Sequence, residues 1–429
     1  MLNLQGHKSQ AMISLPLDIP DIAVLRVSQN QHGDYLITIK STLEGTACQY
    51  CGRQLTQFHG HGRWIKLRHL PILGRRVYLR LRPKQYVCPE CGDKITTQQP
   101  EWYTPKSPHT HAYDEYLMLS LVNSTVEDVS QKEGLGYDAV QGAVRRCLHT
   151  QVDWAELDEL GVIGIDEIAL RKGRKNYVAI ITSKQASGRV VVLSILADRK
   201  KETVRQFLET IPVRLWPTMG TVCTDMWDGY VNAAKEFAAA HPAVSLEVVT
   251  DRYHVAKNYR DCVDTLRKSE CRRLKKALSE EEYETVKGTL WIVRKNHRDL
   301  DNDARVRLRA LFKLSPRLKR AYTLREELTA LFEMPLTKAQ SQVRLRKWAD
   351  KVRRSDLTCF DAFLTTLDNW LEEISNYFSD RLNSGFVEGL NNKIKTLKRR
   401  CYGILNTTTL FQRLYLDLEG YRLFALFTP

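Results

Sequence analysis

Hydrophobic positions recur with different periods along the 429-residue chain, and the changes of period divide it. Up to about residue 105, apolar and polar residues alternate. "DYLITIKS" and "RRVYLRLRPKQYVC" both read as half-buried strands, the second with basic residues on one face. Between 108 and 152 the spacing becomes helical. "AYDEYLMLSLV" is one helix, and "STVEDVSQKEGL" opens with a Ser/Thr cap and an acidic first turn. After the turn "GLGY" comes "DAVQGAVRRCLHTQV", again with apolar positions at helical spacing.

From residue 160 the pattern predicts strands at 162–166, 176–183, 189–197, 220–224 and 245–250, with helices near 201–211 and 229–240. Three consecutive strands followed by alternation with helices predict a mixed α/β sheet. "DRYHVAKN" then opens a basic helical stretch that continues to about 380, and "VEGLNNKIKTLKRR" reads as a further helix. The shifts of period predict five segments: a β module at 1–105, a helical pair at 106–155, the first part of an α/β core at 156–255, a helical insertion at 256–380, and a helical return to the core at 381–429.

A chain this long exceeds one ordinary hydrophobic core. With 43% hydrophobic and 27% charged residues it has the composition of a soluble globular protein. No apolar run approaches the ~18 residues of a membrane helix, so no membrane partner is expected. The start "MLNLQGHKSQ" lacks the basic-then-apolar order of a signal peptide. Lys and Arg number 65 against 50 Asp and Glu, a net charge of +15 that favours an acidic polymer as partner. Two short helices around a Gly-containing turn describe either a helix-turn-helix or a plain packing unit. In the first case Arg145 and Arg146 on the second helix face DNA.

Four of the ten cysteines form two CxxC pairs, Cys48/Cys51 and Cys88/Cys91, each followed by Gly. A CxxC turn lets two thiolates reach one ion, so the four predict a tetrahedral Zn²⁺ site in a reducing compartment. The intervening segment is long enough to hold its own hairpin, and His59 and His61 within it are alternative ligands.

Acids end the strands. Asp166 follows the run Val162–Ile165, with a basic cluster (Arg171, Lys172, Arg174, Lys175) close behind, and Asp225 follows the strand 220–224. Ligands of open α/β sheets bind at such carboxyl ends. Glu388 opens the helix that carries Lys393, Lys395, Lys398, Arg399 and Arg400, cations suited to phosphates. Three carboxylates from separate elements suit a pair of Mg²⁺ ions (or Mn²⁺) that handle a phosphodiester. Glu167 is turned from Asp166 by the pleat, and Asp228 begins a helix. Asp251 is either an accessory acid or a helix cap, His254 either a phosphate or water contact or a packing residue, and Trp227 either a base platform or core.

"GIDEIALRKG", "TDMWDGY", "DRYHVAKN" and "SGFVEGLNNKIKTLKRRCYG" together resemble the ISL3 family of bacterial insertion-sequence transposases over nearly the whole chain. The resemblance implies a DDE enzyme with a ribonuclease-H-like catalytic domain and a triad of Asp166, Asp225 and Glu388. Its expected partner is double-stranded DNA, both element ends and target, bound by a dimer in the bacterial cytoplasm and nucleoid. The chain reads "NSG" ahead of the Glu segment where many relatives have "SNG". Two rival readings are a tyrosine recombinase using Tyr402, Tyr415 or Tyr421, and a non-catalytic zinc and helix-turn-helix regulator.

Overall fold

The computed structural model describes residues 17–170, 177–382 and 385–425. The basic cluster at 171–175, the Asn383–Ser384 pair and the N-terminal start lie outside the described residues. The chain forms two compact units, Met1–Leu148 with Glu419–Pro429, and His149–Leu418.

In the first unit, β1 (Ile22–Gln29) and β2 (Tyr35–Ser41) precede two short paired strands, β3 (Thr46–Ala47) and β4 (Gln54–Leu55). Then come β5 (Phe58–His61), β6 (Ile65–Ile72), β7 (Arg75–Leu81), β8 (Lys84–Cys88) and β9 (Lys94–Thr97). One sheet has the order β1-β2-β7-β6 and another β5-β8-β9. The period-two pattern explains the first sheet: Ile37, Ile39, Leu67, Val77, Leu79 and Leu81 all face one core, and the alternate positions face outward. The expected hairpin between the Cys pairs is β6–β7, turning at Leu73–Gly74, both at positive φ.

Helices α1 (His111–Leu121), α2 (Val126–Glu133) and α3 (Tyr137–Cys147) complete this unit's main elements. Thr125 and Asp128 form a reciprocal capping box that starts α2, and Gly134 in the left-handed region stops it.

In the second unit, β10 (Gly161–Ala169), β11 (Tyr177–Lys184), β12 (Val190–Leu196), β13 (Met219–Thr224) and β14 (Glu247–Thr250) form one sheet ordered β12-β11-β10-β13-β14. The first three strands pair antiparallel, whereas β13 and β14 run parallel to β10. Helices α4 (Lys201–Glu209) and α5 (Asp228–Ala240) share a core with the sheet.

A 26-residue helix, α6 (Arg252–Ala277), leads into α7 (Glu280–Glu284), α8 (Leu290–Arg294), α9 (Asn302–Leu314), α10 (Pro316–Glu333), α11 (Lys338–Arg353), α12 (Asp361–Asn369) and α13 (Leu371–Asp380). These helices share their core with Cys223 and Val249 of the sheet. Asn376 of α13 donates to the Val248 carbonyl at 2.8 Å. The helical block is therefore packed onto the sheet rather than hung from it. Last come α14 (Gly385–Arg400) and α15 (Thr407–Phe424).

One boundary differs from the sequence reading in a way that matters. β10 does not end at Asp166 but continues to Ala169, because its antiparallel pairing with β11 persists where β13 has already stopped.

Candidate functional site

The four cysteines converge. Cys48 Sγ lies 4.0 Å from Cys91 Sγ, and Cys51 Sγ lies 3.7 Å from Cys88 Sγ. Tetrahedral zinc with bonds of about 2.3 Å needs sulfurs about 3.8 Å apart. Burial opposes ionisation of the Cys48 thiol, but hydrogen bonds from the backbone of Tyr50 and Cys51 and from the Cys88 and Cys51 thiols together outweigh it and pull the thiol down to about 6. Among the described residues, this is the one set of three or more potential ligands gathered within 4.8 Å. His59 and His61, on exposed β5, are not in it.

In the three-helix segment, Arg146 is committed inside the protein. Its guanidinium grips Asp114 of α1 with bonds of 2.6 and 2.8 Å, and His109 adds a third at 2.7 Å. Burial would raise the Asp114 carboxyl, yet the bonds from His109 and Arg146 hold it below its ordinary value. Arg146 thus pins α3 to α1 through Asp114. Arg145 points into solvent.

The acids of the second unit follow from strand register. Ile165 pairs with Thr224, and Thr224 with Thr250. The next residue on each strand is an aspartate, so Asp166, Asp225 and Asp251 occupy one row across β10, β13 and β14. The Asp251 N–H donates to the Thr224 carbonyl at 2.8 Å, which locks the edge of that row. Burial raises the Asp166 carboxyl, and the Asp251 charge adds to the effect. Asp225 is pushed up to about 6, first by burial and then by the Asp166 and Glu167 charges, against the field of His254. One buried oxygen of Asp225, Oδ1, has no hydrogen-bond partner.

Glu167 pairs with Arg199 at 2.8 Å, and Arg199 in turn stacks on the half-exposed Trp227 ring, 4.3 Å from its centroid. Asp228 begins α5. Asp251 caps α6 by accepting from the Tyr253 N–H at 3.0 Å and lies 4.0 Å from His254 Nε2.

Helix α14 lies over β10 because Gly164 has no side chain. A Cβ there would sit 2.8 Å from Thr182 Oγ1 and 2.9 Å from the Phe386 ring, with Val387 closer still. Its buried stripe is Val387, Leu390, Asn391, Ile394 and Leu397. Asn391, the one polar member, donates its amide to Asp166 Oδ2. Glu388 is on the exposed side, in a cleft of about 300 Å³ that Asp251 and Arg260 also line.

The region 163–414 matches the sequence profile of the ISL3-type DDE transposases, described as "Transposase". The chain belongs to the ISL3 family of transposases. Residues 44–91, which include all four clustered cysteines, match a second profile, "zinc-finger of transposase IS204/IS1001/IS1096/IS1165". Among the relatives of this transposase, the "Transposase for insertion sequence element IS1001" of Bordetella parapertussis is 28% identical over 390 residues, covering 90% of this chain and 91% of its own. The "Transposase for insertion sequence element IS1557" of Mycobacterium tuberculosis H37Rv is 22% identical over 401 residues, 87% and 86% of the two chains. Family and sulfur geometry together make Cys48, Cys51, Cys88 and Cys91 a Zn²⁺ site, and the tyrosine-recombinase and non-catalytic readings give way. No described helix is long and apolar enough to cross a membrane.

Of the expected site residues in this transposase, Asp166 and Asp225 come together, joined by Asp251 and His254. Glu388 shares a cleft with Asp251, and the three acids of the expected triad do not form a set within 4.8 Å. The cations of α14 split by face. Lys393 donates to the Asp417 carbonyl, Lys398 to the carbonyls of Ala169 and Leu170, and Arg400 to the Asp417 carboxylate. These three are engaged by the fold itself, at the β10 end and at α15. Lys395 and Arg399 share the exposed face with Glu388 and Asn392. Asn391 escaped the sequence reading. The available signal was a polar residue on an otherwise apolar stripe.

Proposed function

We propose that this transposase grips the terminal inverted repeats of its own element through the zinc module and α1–α3, and cuts and rejoins DNA at the acid row. On this reading α1–α3 act as a helix-turn-helix, with α3 offering Arg145 to a major groove. The five-stranded sheet is a ribonuclease-H-like core whose catalytic carboxylates are Asp166, Asp225 and Glu388. The observation that supports the reading is the register pairing Ile165 with Thr224, which sets the next residues, Asp166 and Asp225, side by side, with one buried carboxylate oxygen of Asp225 left unpartnered. The membership of Glu388 rests on its cleft with Asp251 and its helix docked at Gly164.

Neighbouring carboxylates whose burial raises their proton affinity fit a hard divalent cation, Mg²⁺ or Mn²⁺, which Asp166, Asp225 and Glu388 would hold. When bound, such a cation supplies Lewis acidity toward the phosphodiester. The chain's own residues do the rest. Asn391 fixes the orientation of the Asp166 carboxylate, Asp251 and His254 are accessory groups beside it, and Lys395 and Arg399 hold the DNA backbone near Glu388. Water attacks first, and the freed 3′-hydroxyl attacks the target second. Joining two element ends calls for two chains, a homodimer on nucleoid DNA.

The test is incubation of the purified protein with duplexes carrying the element's ends or scrambled ends. Cleavage at the true ends, dependent on Mg²⁺ or Mn²⁺ and leaving no protein attached, is expected. A covalent protein–DNA adduct formed in EDTA would contradict the mechanism.

A further inference from the structure

The outward face of the sheet β1-β2-β7-β6 carries a row of cations that its own packing does not explain. Arg26 pairs with Thr38, Thr38 with Arg80, and Arg80 with Lys66, so one line across four strands reads Arg–Thr–Arg–Lys. Adjacent strands lie about 4.8 Å apart, which makes the row about 14 Å long. Lys66 and Arg80 are directly opposed, an arrangement that costs stability for like charges. Among the described residues none of Arg26, Lys66, Arg80 and Arg82 forms an ion pair. Neutral groups hold three of them: Arg80 lies 4.6 Å and Arg82 5.9 Å from the ring centroid of the half-exposed Trp64, Lys66 lies 4.0 Å from that of Tyr78, and Arg82 also donates to the carbonyls of Gly62 at 3.0 Å and His61 at 3.4 Å. These groups fix the three cations in place without neutralising them, and the opposite face of the same sheet is an apolar core.

We propose that this face, with Lys66, Arg80 and Arg82 at its centre, is a docking surface for the phosphate backbone of duplex DNA. The choice of DNA rests on the transposase reading, and charge complementarity to a line of phosphates selects this face. Its contribution is sequence-independent: it holds the duplex while α3 reads bases.

The experiment uses the full-length zinc-loaded protein and the variant Lys66→Gln/Arg80→Gln/Arg82→Gln, titrated with terminal-repeat and random duplexes across a salt series. Each lost phosphate contact removes about 0.9 from the slope of log affinity against log salt, so the slope should flatten by between about two and three. Affinity for both duplexes should fall by the same factor, with zinc content and melting temperature retained. Unchanged slope and affinity on random duplex would overturn the proposal, as would a loss confined to the repeat. If the triple variant fails to fold, Arg80→Gln and Arg82→Gln singly should each flatten the slope by about one, and no change in either overturns it. Wild-type protein that binds both duplexes without preference for the repeat contradicts the proposed function instead and leaves the random-duplex result to judge the sheet face.

Discussion

Gly164 on β10 and Val387 on α14 approach so closely that no methyl group fits between them. This contact seats the helix carrying Glu388 and Asn391 over the strand carrying Asp166. Gly164→Ala forces strand and helix apart, and overpacking of this kind costs typically 1–3 kcal/mol. The expected outcome is a lowered melting temperature together with a larger loss of DNA cleavage, while repeat binding is retained. Differential scanning calorimetry alongside a cleavage assay checks it, and a fully active, equally stable variant would show that the docking is not needed.

The acid row predicts a pH dependence. The Asp225 carboxyl is raised to about 6 in the fold from an ordinary value of 3.8. A raised carboxyl favours the fold while protonated, and this relative advantage is lost as pH climbs from about 4 through 6. Above pH 6 the metal-free fold carries the ionised group at a cost of up to about 3 kcal/mol. In EDTA, Asp225→Asn should therefore melt higher than wild type at pH 8, with the gain vanishing near pH 4. Excess Mg²⁺ should narrow the difference at pH 8 by stabilising the wild type. Equal melting curves at pH 8 in EDTA would remove the strain from this account.

Neighbouring arginines of α3 should behave differently. Arg146→Ala strands the buried Asp114 carboxylate, and breaking such a pair costs about 3–5 kcal/mol. Thermal unfolding should show that loss. Because Asp114 is held below its ordinary value, the stabilisation it gives is present above pH 4 and fades as pH falls further. Arg145→Ala should leave stability unchanged and reduce discrimination between repeat and random DNA, by ~1–3 kcal/mol if it reads a guanine. Equal weakening on both DNAs would make Arg145 a backbone contact.

Zinc should be present at about one ion per chain, and Cys88→Ser should abolish it. The expected consequence is loss of the melting transition of the first unit and of repeat binding, with the α/β sheet of the second unit still folded. Protein purified without chelator and free of zinc by metal analysis would refute the assignment.

How far the sequence carried these conclusions varied with the range of the forces involved. Strand and helix order was readable because amphipathic periods are local, and the two CxxC turns announced their ligand geometry within four residues each. The Asp166–Asp225–Asp251 row depends on register between strands 59 and 26 residues apart, for which no local signal exists. The cations of α14 looked equivalent in sequence. Packing against Asp417 and the β10 end separated Lys393, Lys398 and Arg400 from Lys395 and Arg399. The partner of Arg146 was hidden for the same reason, since Asp114 lies 32 residues away. Asn391 could have been found from its stripe, but its partner Asp166 lies 225 residues away.

The most direct measurement is cleavage of a labelled duplex carrying the element's end by Asp166→Asn, Asp225→Asn, Glu388→Gln and Asp251→Asn. Each exchange keeps side-chain shape while removing a charge that would hold the cation. Asp166→Asn, Asp225→Asn and Glu388→Gln are each expected to abolish cleavage in Mg²⁺ while leaving end binding intact or tighter, and Asp251→Asn to reduce cleavage without abolishing it. Full activity of Asp166→Asn or Asp225→Asn would contradict the account at its centre, whereas an active Glu388→Gln beside an inactive Asp251→Asn would transfer the third catalytic position to Asp251.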